Sequence, residues 1–452
     1  MSLAKPQLTL FLGLVALVLT GALWRLFSGG TDVALDGDTR TEIILALLYG
    51  GVLVLSFQQF RWMSWLMARS PALCGLLAVA CLSPLWAETP DVVFRRSISL
   101  VGTSLFGVVL AARLTLREQL RLVQGVLRLT AVACAALFIV APSYAMAADF
   151  GTGAARGIFP HKNLFGAAMA LGILVEWFVS EERLFKRTLK VVAVGLYAGL
   201  LVLSHSVTSA VTVGGTLLIL WLFEKFHRRY HIPLPAILLF LAGLVVCISL
   251  FGVDTSIFTE MMGRSKDLTG RTDLWRSVGS MILARPLLGY GFSGFWGGAS
   301  VESYAVEKYV GWSPTYSHNG YLEILLNLGA VGTSLFLLFL WKGLTLAKQK
   351  AEERVTKEEL WPLAFLVFFI VHNFAECTII WQNCLEWALC IATVISADPQ
   401  VESLVSTAED EFDDQELVPS LQRSLFQDSG ITAQSARNVA GTDEPFGLVG
   451  KG

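Results

Sequence analysis

The feature of this sequence that most constrains its fold is the recurrence of long apolar segments, such as "LTLFLGLVALVLTGALW" near the start and "AILLFLAGLVVCISLFGV" from Ala236. A helix needs about 20 mostly apolar residues to cross a bilayer. Hydrophobic residues make up 54% of the chain and charged residues only 15%, whereas about a quarter of the residues in a soluble domain are charged. The pattern therefore predicts an all-α, polytopic integral membrane protein.

Hydropathy predicts about twelve transmembrane helices. Their approximate bounds are 7–27, 42–58, 71–87, 97–112, 124–143, 164–180, 189–204, 208–223, 233–252, 319–341, 359–374 and 382–396. Basic residues collect in alternate loops, for example at Arg113, Arg117 and Arg121, and such loops normally stay in the cytoplasm. We therefore expect both termini in the cytoplasm and the other loops, including a large one at about 253–318, in the periplasm of a bacterium.

The end of the chain differs from the rest in composition. Residues 1–397 form the predicted transmembrane domain, and 398–452 begin an acidic, weakly hydrophobic stretch that includes "STAEDEFDDQELVPSLQRS". Such a composition is typical of disorder, so we expect a disordered cytoplasmic tail. The seven cysteines fall in or beside apolar spans without C-x-x-C spacing, which favours buried thiols, with a Cys377–Cys384 bridge as the alternative.

Three glycines, Gly289, Gly291 and Gly294, spell G-x-G-x-x-G inside the large outward loop. A dinucleotide site requires a strand before these glycines and an acidic residue about 20 positions after them. The preceding residues instead carry a helical pattern that begins at Thr269 or Thr272 and stops at Arg285 and Pro286. We therefore expect a tight turn rather than a cofactor site.

Basic and titratable residues are concentrated in the outward loops. Arg264 and Arg271 lie in the large loop, and Arg271 opens a predicted helix whose amides favour an anion. For Arg276 and Arg285 in the same loop we expect structural ion pairs, with Asp273 and Glu302 among the partners. The earlier loop "ARGIFPHKNLFG" places Arg156, His161 and Lys162 just before Asn163, where charged side chains are costly unless they are paired or used.

Two further segments carry candidate catalytic groups. In "SPTYSHNGYLE", His318 and Asn319 lie at the start of a span, and histidine can accept a hydroxyl proton near neutral pH. In "VHNFAECTIIWQN", Glu376 is an acid at the membrane surface. Cations for a diphosphate and a base for a hydroxyl suit a sugar carried on a lipid diphosphate. Metal-binding and nucleotide-binding motifs are lacking, so we expect no cofactor, no metal and no nucleic-acid partner.

Four segments in order, "RGIFPHKNLFG", "GRTDLWRSVGSMILARPLLGYGFSGFW", "SHNGYLEILLNLGAVG" and "HNFAECTII", resemble the O-antigen ligase and polymerase superfamily over roughly residues 150–390. The H-K-N form most resembles the ExoQ-type exopolysaccharide polymerases. The resemblance implies a GT-C-like fold in the bacterial inner membrane and metal-independent transfer from a polyprenyl-diphosphate-linked glycan donor. It implies a glycan or a lipid A-core acceptor, with membrane lipids, chain-length regulators and export proteins as further partners.

The resemblance also implies roles for particular residues. The family's loop-end histidine and loop arginine match His318 and Arg271, which would be catalytic, and its earlier basic motif matches Arg156, His161 and Lys162, which would bind the donor diphosphate. From the residues themselves we expect Arg264 as a further diphosphate contact, and Asn163, Asn319 and Glu376 as supporting residues. Many relatives have an arginine in the serine-rich hairpin, where this chain has Val207 in "SHSVTS". Two alternatives stay open: a transporter of lipid-linked sugars and a non-catalytic assembly subunit.

Overall fold

The fold is built from helices. The computed structural model describes residues 4–27, 39–146, 153–181, 183–227, 271–296 and 300–412, and these contain no β-strand. The helices of the first half are α1 Lys5–Leu19, α2 Trp24–Phe27, α3 Thr39–Gln58, α4 Phe60–Ala68, α5 Pro71–Leu82, α6 Pro90–Arg113, α7 Leu116–Val140, α8 Pro142–Ala145, α9 Lys162–Phe178, α10 Leu184–Leu203 and α11 Val207–Leu222. Those of the second half are α12 Arg271–Ala284, α13 Val301–Val310, α14 Gly320–Glu353, α15 Trp361–His372, α16 Leu385–Ser396 and α17 Pro399–Phe412.

Several of these helices are suited to a bilayer. In the described ranges, five helices are long and apolar enough to cross a membrane, or seven if each of two bent helix pairs is one span. The five candidates are α3, α6, α7, α11 with the short helical turn that follows it, and α14. The chain is therefore a multi-pass membrane protein, but the twelve predicted spans are not confirmed as a number. The predicted span 233–252 lies outside the described residues.

The charge pattern divides the loops into two groups. Described loops of one group contact each other at one end of the helices, and those of the other group do so at the opposite end. At one end, the amide of Ala155 donates to the carbonyl of Leu203 at 2.8 Å, and that of Gly320 donates to Asn373 at 2.8 Å. At the other end, Arg69 pairs with Asp398 at 2.7 Å. The assignment of these loops to two sides of a membrane, and which end faces the periplasm, stay predictions.

Helices α12 and α13 lie in the described part of the large predicted loop and pack beside the start of α14. A buried apolar cluster joins them, and its members are Leu274, Val278, Tyr290, Phe295, Trp296, Val306 and Leu326. Each large apolar side chain buried in this way contributes roughly 1.5–3 kcal/mol relative to exposure. The cluster fixes α12 against the membrane helices, and with it Arg271 at the first turn of α12.

The long helix α14 is interrupted at Gly329, whose φ of 59° and ψ of −159° are not helical. The chain that follows α12 enters this break: the amide of Ala330 donates to Pro286 at 2.8 Å, and that of Val331 donates to Leu287 at 3.1 Å. A Cβ atom at position 329 would lie 2.3 Å from the carbonyl carbon of Leu287. Only glycine fits this conformation and this contact.

The chain divides after Asp398, and the described part of the second unit is residues 399–412. The sequence analysis assigned this region to a disordered tail, but Pro399–Phe412 is a helix. Proline at the first helical position and apolar residues at 401, 404 and 405 favour helix formation there. The helix covers residues 399–412 and residues 413–452 lie outside the described ranges, so the disordered cytoplasmic tail stays a prediction.

Candidate functional site

Four side chains from distant parts of the chain converge on the carboxylate of Glu376, in the loop between α15 and α16. Asn163 Nδ2 donates to Oε1 at 2.7 Å and Arg271 Nη2 to Oε1 at 3.4 Å. The Tyr316 hydroxyl donates to Oε2 at 3.3 Å, and His318 Nδ1 lies 3.9 Å from the same oxygen. We call these five residues the Glu376 cluster.

The cluster depends on where three helices begin. Helix α9 begins at Lys162 and is capped by His161, whose Nδ1 accepts the amide proton of Asn163 at 3.2 Å. Helix α12 begins at Arg271, and α14 begins just after Asn319, whose Oδ1 accepts the amides of Tyr321 and Leu322. Helix N-termini carry partial positive charge. The starts of these helices therefore bring cationic and amide groups together at one end of the bundle. These groups and the helix N-termini favour the binding of an anion there.

Glu376 is ionised within this cluster. Burial by itself would raise the pKa of this carboxyl, but the neighbouring His318 and His372 imidazoles and the Arg271 guanidinium together hold its pKa below the ordinary value of 4.5. The carboxyl is 8% exposed and the Arg271 side chain 17% exposed. Arg271 also donates through Nη1 to the carbonyl of Ala375 at 3.0 Å. The guanidinium is thus held by two acceptors of one loop.

His318 occupies an unusual backbone conformation, with φ of 53°. Non-glycine residues rarely adopt positive φ, and the strain often marks functional positions. Its ring centroid lies 4.1 Å from that of Tyr316 and 6.1 Å from that of Trp312. Nδ1 is buried and has no hydrogen-bond partner in the described part of the chain. A tautomer with the Nδ1 hydrogen facing Glu376 would leave Nε2 as the basic nitrogen.

The remaining predicted donor-binding residues lie on the segment that leads into α9. Arg156 is 8% exposed, and its Nη1 lies 3.5 Å from the carbonyl of Pro160. Lys162 is half-buried at the first position of α9. Asn319 is tied to the Glu376 loop through Nδ2, which donates to Phe374 O at 3.2 Å. Arg264 lies outside the described residues.

The serine-rich hairpin packs directly on α9. A Cβ atom at Gly166 would lie 2.6 Å from Ser206 Cβ, 2.9 Å from Ser209 Oγ and 3.0 Å from Ser204 Oγ. Ser206 caps α11 by accepting the amide of Ser209 at 3.4 Å. His205, between these serines, is exposed and has φ of 51°. The hairpin therefore supports the first turns of the helix that carries Asn163.

Two structural interpretations from the sequence are confirmed. Arg276 pairs with Asp273 at 2.9 Å, and Arg285 pairs with Glu88 at 2.8 Å and with Glu302 at 3.4 Å.

The glycine motif is a turn, as predicted. It follows helix α12 rather than a strand, and φ is 65° at Gly289 and 96° at Gly291. The six cysteines in the described ranges are free thiols, so Cys377 and Cys384 form no bridge. Those ranges contain no group of three or more His, Cys, Asp or Glu side chains that could hold a metal ion.

Sequence reasoning missed Tyr316 and the central position of Glu376. Burial and the nearby Glu376 charge raise the pKa of Tyr316, so its neutral phenol donates to the carboxylate. Trp381 packs edge-on against Tyr316 with ring centroids 5.5 Å apart. The sequence signal for Tyr316 was its position: it is an aromatic residue two positions before His318 in an otherwise polar stretch.

Comparisons of the sequence with known proteins cover part of this site. A family model described as O-antigen ligase matches residues 192–337, a range that includes Arg271 and His318. A protein of Rickettsia prowazekii (strain Madrid E) named "Putative polysaccharide ligase RP358" is 29% identical over 152 residues, which cover 32% of this chain. The match spans only 36% of that relative's length. Both matches support the resemblance of this chain to the O-antigen ligase and polymerase superfamily.

Proposed function

We propose that this protein is a membrane glycosyltransferase that polymerises polyprenyl-diphosphate-linked oligosaccharide repeat units at the periplasmic face of the bacterial inner membrane. The observation that carries the proposal is the convergence of Asn163, Arg271, Tyr316 and His318 on Glu376. The cluster combines a fixed cation, an imidazole and an ionised carboxylate at one end of a membrane bundle. The product would be an exopolysaccharide or O-antigen chain.

The donor diphosphate would bind near Arg271, with Arg156, His161, Lys162 and Arg264 as further contacts. A diphosphate carries more negative charge than one carboxylate, so it competes with Glu376 for the Arg271 guanidinium, which binds such groups bidentately. Fixed cations stabilise the charge that develops as the sugar–oxygen bond breaks. This chemistry requires no metal ion or other cofactor, and its metal independence is part of the proposal.

The acceptor hydroxyl would be deprotonated by His318. In the proposed step, the acceptor oxygen bonds to the anomeric carbon, the bond to the diphosphate oxygen breaks, and the proton passes to the imidazole. Attack from the side opposite the leaving group inverts the anomeric configuration. Glu376, 3.9 Å from His318 Nδ1, would then stabilise the imidazolium.

The main alternative is a ligase that transfers the finished glycan to a lipid A core. The description of the matching family and the name of the Rickettsia prowazekii relative favour this alternative. The resemblance of the H-K-N segment to ExoQ-type proteins favours the polymerase. A transporter of lipid-linked glycans should place polar groups at mid-membrane, whereas the Glu376 cluster lies where helices α9, α12 and α14 begin.

The size distribution of polyprenyl-linked glycans in the source organism tests the proposal. Cells that lack the protein should accumulate single repeat units if it is a polymerase. Long chains stranded on the carrier would identify a ligase instead. An unchanged distribution would reject both activities and favour a transporter or an assembly subunit, and chain-length regulators or export proteins would then be sought among co-purifying partners.

A further inference from the structure

A second carboxylate, Glu323, lies buried one turn inside α14, and its neighbours are donors. Trp296 Nε1 donates to Oε1 at 2.9 Å and lies 3.2 Å from Oε2. The amide of Ser317 donates to Oε2 at 2.8 Å, and Asn327 Nδ2 donates to Oε1 at 3.2 Å. Glu323 is 2% exposed. In all of these hydrogen bonds the Glu323 carboxyl oxygens are the acceptors.

Glu323 fixes the residue that precedes His318. The amide of Ser317 is held by Glu323, and its carbonyl accepts a hydrogen bond from Trp275 Nε1 at 2.9 Å. The Ser317 hydroxyl donates to the carbonyl of Asn319 at 2.8 Å. Helix α14 therefore holds the amide of Ser317, and helix α12 holds its carbonyl.

The same contacts connect His318 with Arg271. Trp275 lies one turn after Arg271 in α12, so the bond from Trp275 to Ser317 ties the helix of the arginine to the loop of the histidine. Trp296 ties the apolar cluster of α12 and α13 to Glu323. The left-handed conformation of His318, with φ of 53°, persists only where its surroundings hold it. Glu323 accepts hydrogen bonds from both Trp296 and the Ser317 amide, so it connects the apolar cluster to the loop of His318.

We propose that Glu323, with Trp296 as its partner, is a positioning residue that holds His318 in the conformation required for proton transfer. This inference rests on the proposed function, in which His318 accepts the acceptor proton. Glu323 acts through the Ser317 peptide and does not itself touch the substrate. The sequence analysis assigned it no role.

The test uses the purified full-length protein in lipid nanodiscs with polyprenyl-diphosphate-linked repeat units, and measures kcat and donor KM per folded molecule. In Glu323→Gln an amide NH2 replaces one acceptor oxygen and faces a donor. We expect kcat to fall about 10- to 100-fold, as is typical when a group that orients a functional residue is lost, with donor KM nearly unchanged. Trp296→Phe keeps the ring without the N–H and should lower kcat in the same direction.

Glu176→Gln is the matched control. Glu176 is also a fully buried carboxylate, and it is bound by Arg128 at 2.6 Å and by Gln124 at 2.9 Å, in the last turns of α9. It lies more than three helical turns from Asn163, or about 20 Å at 1.5 Å per residue. We expect Glu176→Gln to lower the unfolding temperature while its kcat per folded molecule stays within about twofold of wild type. An equal kcat loss in both variants would overturn the positioning role.

A double-mutant comparison separates this inference from the proposed function. If Glu323 acts through His318, then Glu323→Gln lowers the rate of the wild type but does not lower the residual rate of His318→Ala further. Independent, multiplying effects would contradict the inference. A Glu323→Gln variant with the kcat of wild type would also contradict the inference. This result is decisive even if the His318→Ala rate cannot be distinguished from background. Full activity of His318→Ala would instead overturn the proposed function.

Discussion

At the scale of single residues, the guanidinium of Arg271 donates to two different acceptors. Nη1 binds the Ala375 carbonyl at 3.0 Å and Nη2 binds Glu376 at 3.4 Å, so one planar group spans two acceptors. A lysine ammonium is a point charge and cannot reproduce this fork. The side chain is 17% exposed, so the guanidinium is not fully enclosed by the protein.

We therefore expect Arg271→Lys to lower polymer synthesis at least about tenfold at matched protein level, since bidentate binding is lost. Gel analysis of the glycan in cells that express each variant measures this. Arg276→Lys is the control, because the Arg276–Asp273 pair is exposed and such pairs contribute little. Full activity of Arg271→Lys would assign Arg271 to a structural role.

The Glu376 carboxylate predicts a pH dependence of stability. Its pKa in the folded protein is below the ordinary 4.5, so its stabilisation is complete above pH 4.5 and is lost as pH falls through the folded value. Glu376→Gln leaves Arg271 without its buried partner and should cost roughly 3–5 kcal/mol at pH 7.

The difference in Tm between wild type and Glu376→Gln should not narrow from pH 7 to about pH 5, since protonated histidines beside the carboxylate would only increase its contribution, and it should narrow in stronger acid. Thermal unfolding in nanodiscs measures it, with Glu302→Gln as the control because its pair with Arg285 is more exposed. A difference that already narrows above pH 5 would contradict the ionised state assigned to Glu376.

At the scale of elements, the break in α14 determines how the outer helices join the membrane helices. Gly329→Ala would place a Cβ atom against the backbone of Leu287 and force a positive φ on alanine. We expect a loss of at least roughly 1–3 kcal/mol in the free energy of unfolding, together with loss of transfer. Chemical unfolding of the purified variants measures the stability.

Gly125→Ala in α7 is the control for this prediction, because nothing lies within 4 Å of its added Cβ atom. Alanine is preferred over glycine inside a helix, so this variant should be as stable as wild type or more so. If both alanine variants were equally stable, the break at Gly329 would not be a requirement of the fold.

The elements also show what the sequence could predict. Helix α12 was predictable because Trp275, Val278 and Ile282 repeat with helical spacing and Pro286 stops the pattern. The break at Gly329 was not, because it depends on the chain at 286 and 287 entering the helix. Likewise, Asn163 and Glu376 are 213 residues apart in sequence. Local patterns predicted every member of the Glu376 cluster except Tyr316, and tertiary contacts decided that Glu376 is its centre.

At the scale of the whole molecule, the two ends of the bundle differ in chemistry. The Glu376 cluster lies at one end, and ion pairs such as Arg69–Asp398 and Arg354–Glu224 lie at the other. We propose that the cluster end faces the periplasm, because the basic loops of the opposite end normally stay in the cytoplasm.

Labelling of single cysteines by a membrane-impermeant maleimide tests this orientation. Ser313 and Glu353 are exposed at opposite ends. In a background where all seven native cysteines are serine, Ser313→Cys should react in intact spheroplasts, and Glu353→Cys should react only after the membrane is permeabilised. The reverse pattern would place the cluster in the cytoplasm and contradict the proposed function.

The central claim is that the Glu376 cluster performs glycosyl transfer with His318 as the base. The most direct measurement is a single-turnover assay of purified wild-type and His318→Ala protein with a polyprenyl-diphosphate-linked repeat unit as donor and as acceptor. We expect a transfer rate about 10²–10⁴ times lower in His318→Ala, as is typical for loss of a general base, with donor binding retained. A transfer rate equal to that of the wild type would contradict it.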